Sequence, residues 1–318
     1  MKALITGITG FAGSHLADHL LQLGYEVAGT IRSTSSLKHV SHIRSELQLF
    51  ECDLTDEAAV ENVIGILKPE RVFHLAAQSF VPASWAAPME TIHNNLSGQI
   101  HLLEAMRKHC PASRILIACS SEEYGQVEGD EVPIKETNPL RPLSPYAVSK
   151  IAQNLLGYQY YKNYGIHAVC VRTFNHTGPR HGEQFVTSNF AKQIAEIEKG
   201  LKPPVLYVGN LEARRDFTDV RDIVRAYGLA LDACDPGEVY NISSGTGREI
   251  REMLNILLGF STTAIDIQED AARLRPSDVK ALIGDYTKFH RKTGWRPEIS
   301  FEVTMLDLLN YWRQMLAQ

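Results

Sequence analysis

The sequence opens with KALITGITGFAG (residues 2–13), and this stretch decides the fold. KALIT predicts a buried strand, and the glycines behind it, spaced GxxGxxG rather than GxGxxG, predict a tight turn that leads into a helix. Such a turn lets the backbone approach a pyrophosphate, and the free N–H groups at the start of the helix attract its negative charge. An ordinary strand–helix turn is the alternative, but the position directly after the first strand favours a dinucleotide site. The candidate residues of this site are Gly7, Thr9, Gly10, Phe11, Ala12 and Gly13.

The first half of the chain alternates apolar, strand-like runs with amphipathic helical stretches. Strands are predicted at 2–6, 25–31, 47–53, 71–77, 114–120 and 167–174, and helices at 13–23, 56–67, 90–109 and 146–164. This alternation is typical of βαβ units with right-handed crossovers. We therefore predict an α/β fold with a Rossmann-type, doubly wound parallel sheet.

After about residue 175 the pattern changes, because glycine and proline become frequent and short strands separate the helices. We predict a dinucleotide-binding domain over 1–175 and a smaller, mixed C-terminal substrate lobe over 176–318. The runs VLYVG (205–209) and EVYNIS (238–243) are each open to joining the main sheet. The substrate cleft is expected between the lobe and the carboxyl ends of the strands.

The composition is that of an ordinary globular protein. The 318 residues include 32 Lys and Arg against 37 Asp and Glu, which gives a formal net charge of −5, and 44% are hydrophobic. This balance offers no basic surface to nucleic acid or to an anionic membrane, and no apolar run has the length of a membrane-spanning helix. The cysteines show no CxxC pair and no metal-ligand spacing, so we expect no metal and a reducing, cytoplasmic location.

The ends of the next strands indicate which dinucleotide is bound. After the second strand the chain reads TIRSTSS (30–36), with Arg32 and Ser33 where an NAD site usually carries an acidic residue for the ribose 2′-hydroxyl. We therefore predict a preference for NADP(H), with NAD(H) as the alternative. The interpretation without a cofactor role is a solvated loop with an incidental arginine. The following strand ends are expected to contact the adenine and the ribose phosphates, through Asp53 and Leu54 and through Leu75, Ala76 and Ala77.

A tyrosine and a lysine four residues apart form the candidate catalytic pair. In SPYAVSK (144–150), Tyr146 and Lys150 lie on one face of a helix. A neighbouring ammonium group stabilises a phenolate, which lowers the pKa of tyrosine and lets it exchange a proton near neutral pH. Tyr158 and Lys162 repeat the spacing, but they lie in the middle of a helix, where packing is the simpler interpretation. The position of Tyr146 at a helix start favours the first pair.

The end of the fifth strand supplies a third group. Ser120 and Glu122, in SSEEYG (120–125), lie at the edge where α/β proteins build their sites. The hydroxyl of Ser120 is placed to hydrogen bond a substrate carbonyl or alkoxide, and Glu122 to move a proton at a neighbouring carbon. A polar turn is the simpler interpretation of this segment alone. Together with Tyr146 and Lys150, however, the segment predicts a hydride-transfer site.

These motifs resemble the extended short-chain dehydrogenases/reductases over essentially the whole chain, and the GDP-sugar branch of that family in particular. The resemblance rests on TGITGFAG, SSEEYG, RPLSPY, RTFNHTGP, GNLEARRDFTDVRDIV and LRPSDV. It implies a Rossmann-type domain for NAD(P), a C-terminal lobe for the GDP-sugar, and the family's catalytic serine, tyrosine and lysine at Ser120, Tyr146 and Lys150.

The resemblance also implies substrate-binding residues. Asn175 matches a position near the sugar diphosphate, and Arg215 and Arg275 match arginines that bind its phosphates, for which the forked guanidinium geometry is suited. A surface ion pair with Asp216 or Asp278 is the alternative for each arginine.

More than one activity remains open within this branch. Most of the matching strings favour NADPH-dependent reduction of the C4 ketone of a GDP-4-keto-6-deoxyhexose to GDP-D-rhamnose. AAQSFV (76–81), PRHGEQFVT (179–187) and Glu122 resemble GDP-mannose 4,6-dehydratases instead, although Phe217 stands where those enzymes usually have tryptophan. A non-catalytic NADP-binding sensor is a further alternative, but it is expected to lose the catalytic tyrosine or lysine. Family members often pair two helices of each subunit, so 90–109 and 146–164 are candidates for a homodimer contact, with a tetramer as the alternative.

Overall fold

The computed structural model describes residues 1–270 and 281–317. The strands are β1 (Lys2–Thr6), β2 (Glu26–Ile31), β3 (Leu47–Glu51), β4 (Arg71–His74), β5 (Arg114–Ser120), β6 (His167–Thr173), β7 (Asn175–Thr177), β8 (Val205–Val208), β9 (Arg214–Asp219), β10 (Val239–Ile242), β11 (Gly247–Glu249), β12 (Asp266–Glu269) and β13 (Ala281–Leu282). The helices are α1 (Phe11–Gln22), α2 (Glu57–Leu67), α3 (Val81–Ala86), α4 (Pro88–His109), α5 (Pro145–Tyr164), α6 (Val186–Glu198), α7 (Val220–Ala233), α8 (Ile250–Gly259), α9 (Thr287–Thr293) and α10 (Phe301–Met315). Short 3₁₀ segments lie at Lys38–Glu46, Ser121–Glu123 and Gly129–Glu131.

The main sheet confirms the predicted Rossmann-type architecture. Its strand order is β10-β6-β5-β4-β1-β2-β3, and all neighbouring strands are parallel. The order reverses at β1, since the chain goes from β1 outward to β2 and β3 and then returns to β4 on the other side. Crossovers diverge at such a point and leave a crevice at the carboxyl ends of the strands. The glycine turn after β1 therefore opens into this crevice.

Apolar cores on both faces of the sheet explain why its strands read as nearly continuous apolar runs. Within β1, Ile5 belongs to the core that includes residues of α1 and α7, whereas the adjacent Leu4 belongs to the core with α2 and α4. Successive side chains of a strand point to opposite faces, so a sheet covered on both sides needs apolar residues at every position.

The C-terminal lobe has its own core and small sheets. In the main one, β9 pairs with β11 in antiparallel fashion and with β7 and β13 in parallel fashion, while β8 pairs with β12. Helices α6, α8 and α10 contribute to a separate apolar core that includes Ile194, Leu254 and Met305. The lobe is therefore mixed, as the sequence predicts. Among the residues described, no helix has the length and apolar character needed to cross a bilayer.

The two runs left open by the sequence have different positions. Val239–Ile242 joins the main sheet beside β6, so the sheet takes a strand from beyond residue 175. Val205–Val208 pairs with β12 outside the main sheet, and its side chains alternate between buried Leu206 and Val208 and the half-exposed Tyr207. That alternation is typical of a strand covered on one face only.

Candidate active site

The glycine turn after β1 has no room for larger side chains. Gly7 has a φ of +73°, and a Cβ atom there would lie 3.1 Å from the Cα atom of Ala76. A Cβ atom on Gly13 would lie only 2.2 Å from the carbonyl oxygen of Gly7. Helix α1 begins at Phe11, and the residue before it, Gly10, provides no side-chain cap. The first amide groups of the helix are therefore available to an anion, and the turn fits the pyrophosphate of a dinucleotide.

The opposite wall of the crevice is fixed to the turn by Thr6, which sequence reasoning missed. Its hydroxyl accepts hydrogen bonds from the N–H groups of Leu75 and Ala76, both at 3.2 Å, and bonds with Nδ1 of His74 at 2.9 Å. His74 is buried, and burial together with the nearby Lys150 charge lowers its pKa to about 3. These contacts place the predicted segment Leu75, Ala76 and Ala77 directly against the glycine turn.

The predicted adenosine-binding residues lie at the carboxyl ends of β2 and β3. Arg32 and Ser33 are exposed, and the loop is closed by the N–H group of Arg32, which donates to the Ser35 hydroxyl at 2.9 Å. Asp53 accepts hydrogen bonds from the N–H and hydroxyl groups of Thr55 at 2.9 and 2.8 Å, and these bonds hold its pKa below its usual value. Leu54 follows Asp53 at the same edge. The charge of Arg32 contributes to the lowering of the Asp53 pKa, so the carboxylate of Asp53, beyond the end of β3, lies near this loop.

The structure brings Ser120, Tyr146 and Lys150 together at the carboxyl end of β5. Ser144 caps helix α5 by accepting a hydrogen bond from the N–H group of Ala147 at 3.1 Å, which places Tyr146 in the first turn. The Ser120 hydroxyl lies close enough to the phenol of Tyr146 to lower its pKa. Nζ of Lys150 donates to the carbonyl oxygen of Ala118 at 2.7 Å and lies 5.8 Å from the centre of the Tyr146 ring.

Burial dominates the protonation of this cluster. It raises the pKa of Tyr146 well above its usual value; the nearby Ser120 hydroxyl opposes the rise, and the charges of Glu122 and Glu123 add to it. Burial also lowers the pKa of Lys150. The sequence predicts that Lys150 lowers the pKa of Tyr146, but in the structure desolvation of the phenol outweighs any such effect. Tyr146 is thus fully protonated at neutral pH, as a proton donor should be.

The two adjacent glutamates have different surroundings. Glu123 is fully buried, accepts the N–H group of Ser120 at 3.2 Å and pairs with Nε of Arg172 at 2.8 Å. Nη1 of Arg172 also donates to the hydroxyl of Tyr124 at 3.1 Å. Glu122 is only partly buried, and its negative charge is close enough to Tyr146 to raise the pKa of the tyrosine. The ion pair of Glu123 and Arg172 therefore holds the backbone of Ser120 in place. Sequence reasoning missed this pair, although Arg172, a charged residue within the apolar run of β6, was a signal that could have revealed it.

The predicted substrate-binding residues converge on β7 and β9. Asn175 begins β7 and pairs in register with Phe217 of β9, two positions beyond Arg215. Arg215 is partly exposed. Asp216, the suggested partner for a surface ion pair, is instead buried. Arg275 and Asp278 lie outside the described residues.

Asp216 joins β9 to two loops. It accepts hydrogen bonds from the N–H and hydroxyl groups of Ser244 at 2.7 and 2.6 Å, from the N–H group of Gly245 at 2.9 Å and from that of Gly284 at 3.2 Å. Sequence reasoning missed this role, which depends on contacts distant along the chain. Within residues 1–270 and 281–317, no three or more His, Cys, Asp or Glu side chains form a group that could hold a metal ion.

Known proteins resemble the chain over nearly its whole length. A family model described as GDP-mannose 4,6 dehydratase matches residues 4–308. The GDP-6-deoxy-D-mannose reductase of Pseudomonas aeruginosa is 32% identical over 317 residues, covering 100% of this chain and 99% of the relative. The GDP-mannose 4,6-dehydratase of Vibrio cholerae is 35% identical over 348 residues, covering 97% of this chain and 92% of the relative. The solved structure of RMD from Pseudomonas aeruginosa complexed with NADPH has a TM-score of 0.85 and 30% identity, covering 99% of each chain.

Proposed function

The chain belongs to the GDP-mannose 4,6-dehydratase family of the extended short-chain dehydrogenases/reductases, and from this premise we propose that it reduces the C4 ketone of a GDP-4-keto-6-deoxyhexose with NADPH. The product is GDP-D-rhamnose. As a member of this family the protein is an oxidoreductase with a nicotinamide cofactor. The sugar, its nucleotide and the direction of the reaction are the parts that we propose.

The proximity of the Tyr146 and Ser120 side chains is the observation that carries the proposal. It places two hydroxyl groups at the same sheet edge as the glycine turn, with Lys150 beside them. A ketone oxygen that contacts both hydroxyls would have its carbon next to the nicotinamide of a dinucleotide seated on that turn. This arrangement supports carbonyl reduction.

Each residue has a defined part in the mechanism. Bound NADPH supplies the hydride for C4. The hydroxyl of Ser120 binds the ketone oxygen, and Tyr146 donates its phenolic proton to that oxygen as negative charge develops there. Lys150, fixed by its bond to the Ala118 carbonyl, stabilises the phenolate that remains. The residues proposed to hold the cofactor are the glycine turn, Arg32 and Ser33, Asp53 and Leu54, and Leu75, Ala76 and Ala77.

Binding of the GDP moiety is proposed at β7 and β9. Arg215 is only partly buried, and the buried Asp216 next to it is bonded to Ser244, Gly245 and Gly284. We assign the diphosphate to Arg215, with Asn175 near the sugar end and Arg275 as a second phosphate ligand on the grounds of its family motif. The match covers 99% of the Pseudomonas aeruginosa reductase and 92% of the Vibrio cholerae dehydratase.

Dehydration of GDP-mannose is the second candidate because of Glu122. This carboxylate is partly open to the site and close enough to Tyr146 to influence its pKa. A reductase does not need it, whereas removal of water across C5 and C6 needs an acid or base at that place. Phe217, where dehydratases usually have tryptophan, favours the reductase.

The direct test is enzyme-dependent loss of NADPH absorbance in the presence of GDP-4-keto-6-deoxymannose. We expect Tyr146→Phe to lower kcat by about 10²-fold or more, because the proton donor is lost. The matched control is Tyr158→Phe, since Tyr158 has the same spacing to Lys162 but is half exposed, and its kcat should stay unchanged. A flat trace with folded wild-type protein that binds NADPH would refute the reductase.

The same samples distinguish the second candidate. Glu122→Gln should leave reduction within about threefold of wild type, a change of well under 1 kcal/mol in the barrier. If the protein instead converts GDP-mannose to its 4-keto-6-deoxy form, and Glu122→Gln abolishes that conversion, dehydratase is the correct assignment.

The cofactor preference is proposed from the end of β2. Arg32 is exposed there without an acidic neighbour in the loop, so it suits a 2′-phosphate. Arg32→Ala should raise KM for NADPH by about tenfold, the effect of losing one charge-assisted contact, and leave KM for NADH unchanged. Arg44→Ala is the control, because Arg44 is also exposed but lies on the 3₁₀ segment away from the loop. Equal effects on both cofactors would contradict the assignment.

We further propose a homodimer through α4 and α5, with a tetramer as the alternative, and a cytoplasmic location. Val148, Leu155 and Tyr158 are large exposed side chains at helical spacing on α5, and Ile100 is exposed on the adjacent α4. A face of this kind is expected to pair with a second copy. Leu155→Glu should yield a monomer in light scattering.

All five cysteines are unpaired in the structure, as expected in a reducing compartment, and cell fractionation tests the location.

A further inference from the structure

The first residue of α1 lies inside a stack of aromatic rings that the cofactor site does not require. The Phe11 ring stacks with His176, at a centroid distance of 5.6 Å and an angle of 8°, and with His181, at 4.3 Å and 18°. His15 meets its edge at 5.8 Å. The other face of His181 packs on Phe185 at 4.5 Å and 15°. A side chain of the glycine turn is thus held by rings from β7 and from the loop that follows it.

Hydrogen bonds fix these rings from their edges. Nδ1 of His181 bonds with the Thr177 hydroxyl at 3.2 Å, and Nδ1 of His176 with the Phe174 carbonyl at 3.2 Å. Nε2 of His15 bonds with the carbonyl oxygen of Pro179 at 2.8 Å, so α1 also contacts this loop through a second residue. Burial lowers the pKa of His181 to about 3 and of His15 to about 4. The rings are therefore neutral at physiological pH, and the stack is a packing unit and not an anion site.

The stack connects the cofactor loop to the proposed substrate segment. The strand that begins with Asn175 leads directly into His176, and the loop continues through His181 to Phe185 at the start of α6. Phe185 in turn meets the edge of Phe80 at 5.9 Å, close behind the segment 75–77 that lines the crevice. One continuous set of rings thus contacts both walls of the cleft.

We infer that Phe11 and His181 are positioning residues that link occupancy of the cofactor site to the conformation of residues 175–187, so that cofactor and nucleotide sugar strengthen each other's binding. The glycine turn is closed by the N–H group of Gly10, which donates to the Gly7 carbonyl at 3.0 Å, but helix α1 has no side-chain cap, so a bound pyrophosphate would add partners for its first N–H groups. Ordering the turn orders Phe11, and closely packed rings transmit that order to the loop. The identity of the sugar nucleotide rests on the proposed function, but the link itself does not.

The first test is hydrogen–deuterium exchange of the full chain with and without NADPH, with NADH in a parallel run. In wild type, we expect the cofactor to protect both the glycine turn and residues 176–190. His181→Leu, which changes no residue of the turn, should retain protection of the turn and lose it at 176–190, and Phe11→Leu should also lose it at 176–190. His181→Phe, which keeps a flat ring, should restore it. A stack that only stabilises the fold would not give this pattern.

The matched control removes a ring elsewhere. Phe289 lies on α9 and is buried against Trp295 at 5.6 Å and against Tyr240 of β10 at 6.1 Å. Phe289→Leu should lower the thermal midpoint but keep cofactor-induced protection of 176–190. Protection confined to the turn in wild type, or protection at 176–190 that survives both leucine variants, overturns the inference.

The second test is equilibrium linkage, with GDP-mannose as the probe. The Kd for NADPH should fall at least about fivefold when GDP-mannose is present, and the ratio should approach one in Phe11→Leu. An unchanged Kd in a wild-type protein that binds GDP-mannose would contradict the inference. If wild type does not bind GDP-mannose at all, the dehydratase candidate fails, the NADPH assay with the 4-keto sugar decides the reductase, and the exchange result decides whether the rings link the two segments.

Discussion

Replacement of Asp216 by asparagine offers a sharp test of how the lobe is held together. One carboxylate oxygen accepts both bonds from Ser244, and the other accepts the N–H groups of Gly245 and Gly284. In Asp216→Asn an NH₂ group replaces one of these oxygens. An NH₂ group cannot accept from an N–H group, so in the orientation that keeps Ser244 bonded, two backbone donors lose their acceptor.

The size of the effect follows from the number of orphaned donors. A buried donor without an acceptor costs about 1–3 kcal/mol, so the loss in unfolding free energy should be about 2–6 kcal/mol. That is a large part of the roughly 5–15 kcal/mol by which a typical domain is stable. Because Asp216 adjoins Arg215, we also expect KM for the nucleotide sugar to rise more than KM for NADPH.

Urea unfolding followed by tryptophan fluorescence measures this change as a lower midpoint at unchanged m. The control is Asp266→Asn, since Asp266 is exposed on β12 and its replacement should alter stability by less than about 0.5 kcal/mol. If Asp216→Asn costs less than about 1 kcal/mol, the two N–H groups have found other partners and the argument from orphaned donors is wrong.

Other predictions concern the remaining parts of the site. Gly13→Ala places a methyl group against the turn's own carbonyl oxygen, 2.2 Å away, so the Kd for NADPH should rise by tenfold or more in a fluorescence titration; unchanged affinity would refute the close-approach argument. Glu123→Gln leaves Arg172 buried without its carboxylate and should cost about 3–5 kcal/mol in chemical denaturation, with much of it recovered in the double variant Glu123→Leu/Arg172→Met. His15 has a folded pKa of about 4 against 6.5 unfolded, so the unfolded chain binds more protons between these values and stability falls as pH drops through this window. The loss from His15 should be roughly 2 kcal/mol near pH 5; His15→Gln should make the profile less steep by that amount, because the buried His74 and His181 still contribute, and the half-exposed His42→Gln is the control.

The sequence predicts the sheet well because its strands are buried on both faces. The predicted strand 71–77 ends earlier in the structure, at His74, because the Thr6 hydroxyl accepts the N–H groups of Leu75 and Ala76 and draws the backbone out of the ladder. The predicted strand 47–53 ends at Glu51, close to the Asp53 turn with Thr55. Such strand ends depend on side chains from elsewhere in the chain, and the hydrophobic periodicity of a segment carries no information about those side chains.

The candidate site could be predicted only where chemistry follows a local motif. Tyr146 and Lys150 share one helix turn, and the glycine turn follows its strand directly. The partners that hold these groups come from distant positions: Arg172 reaches Glu123 across the sheet, and His181 reaches Phe11 from the lobe. No local pattern encodes such pairs, although a charge within a buried strand is a signal worth following.

The return of the chain to β10 has a consequence for protein engineering. β10 covers the outer edge of β6, whose backbone would otherwise present unpaired N–H and C=O groups to other molecules. A fragment that stops at residue 175 lacks this strand, and we expect it to aggregate. To give this chain the substrate preference of a relative, the exchanged segments should therefore be joined separately before and after β10. A single junction after β6 would place the strands of one sheet in two different parents.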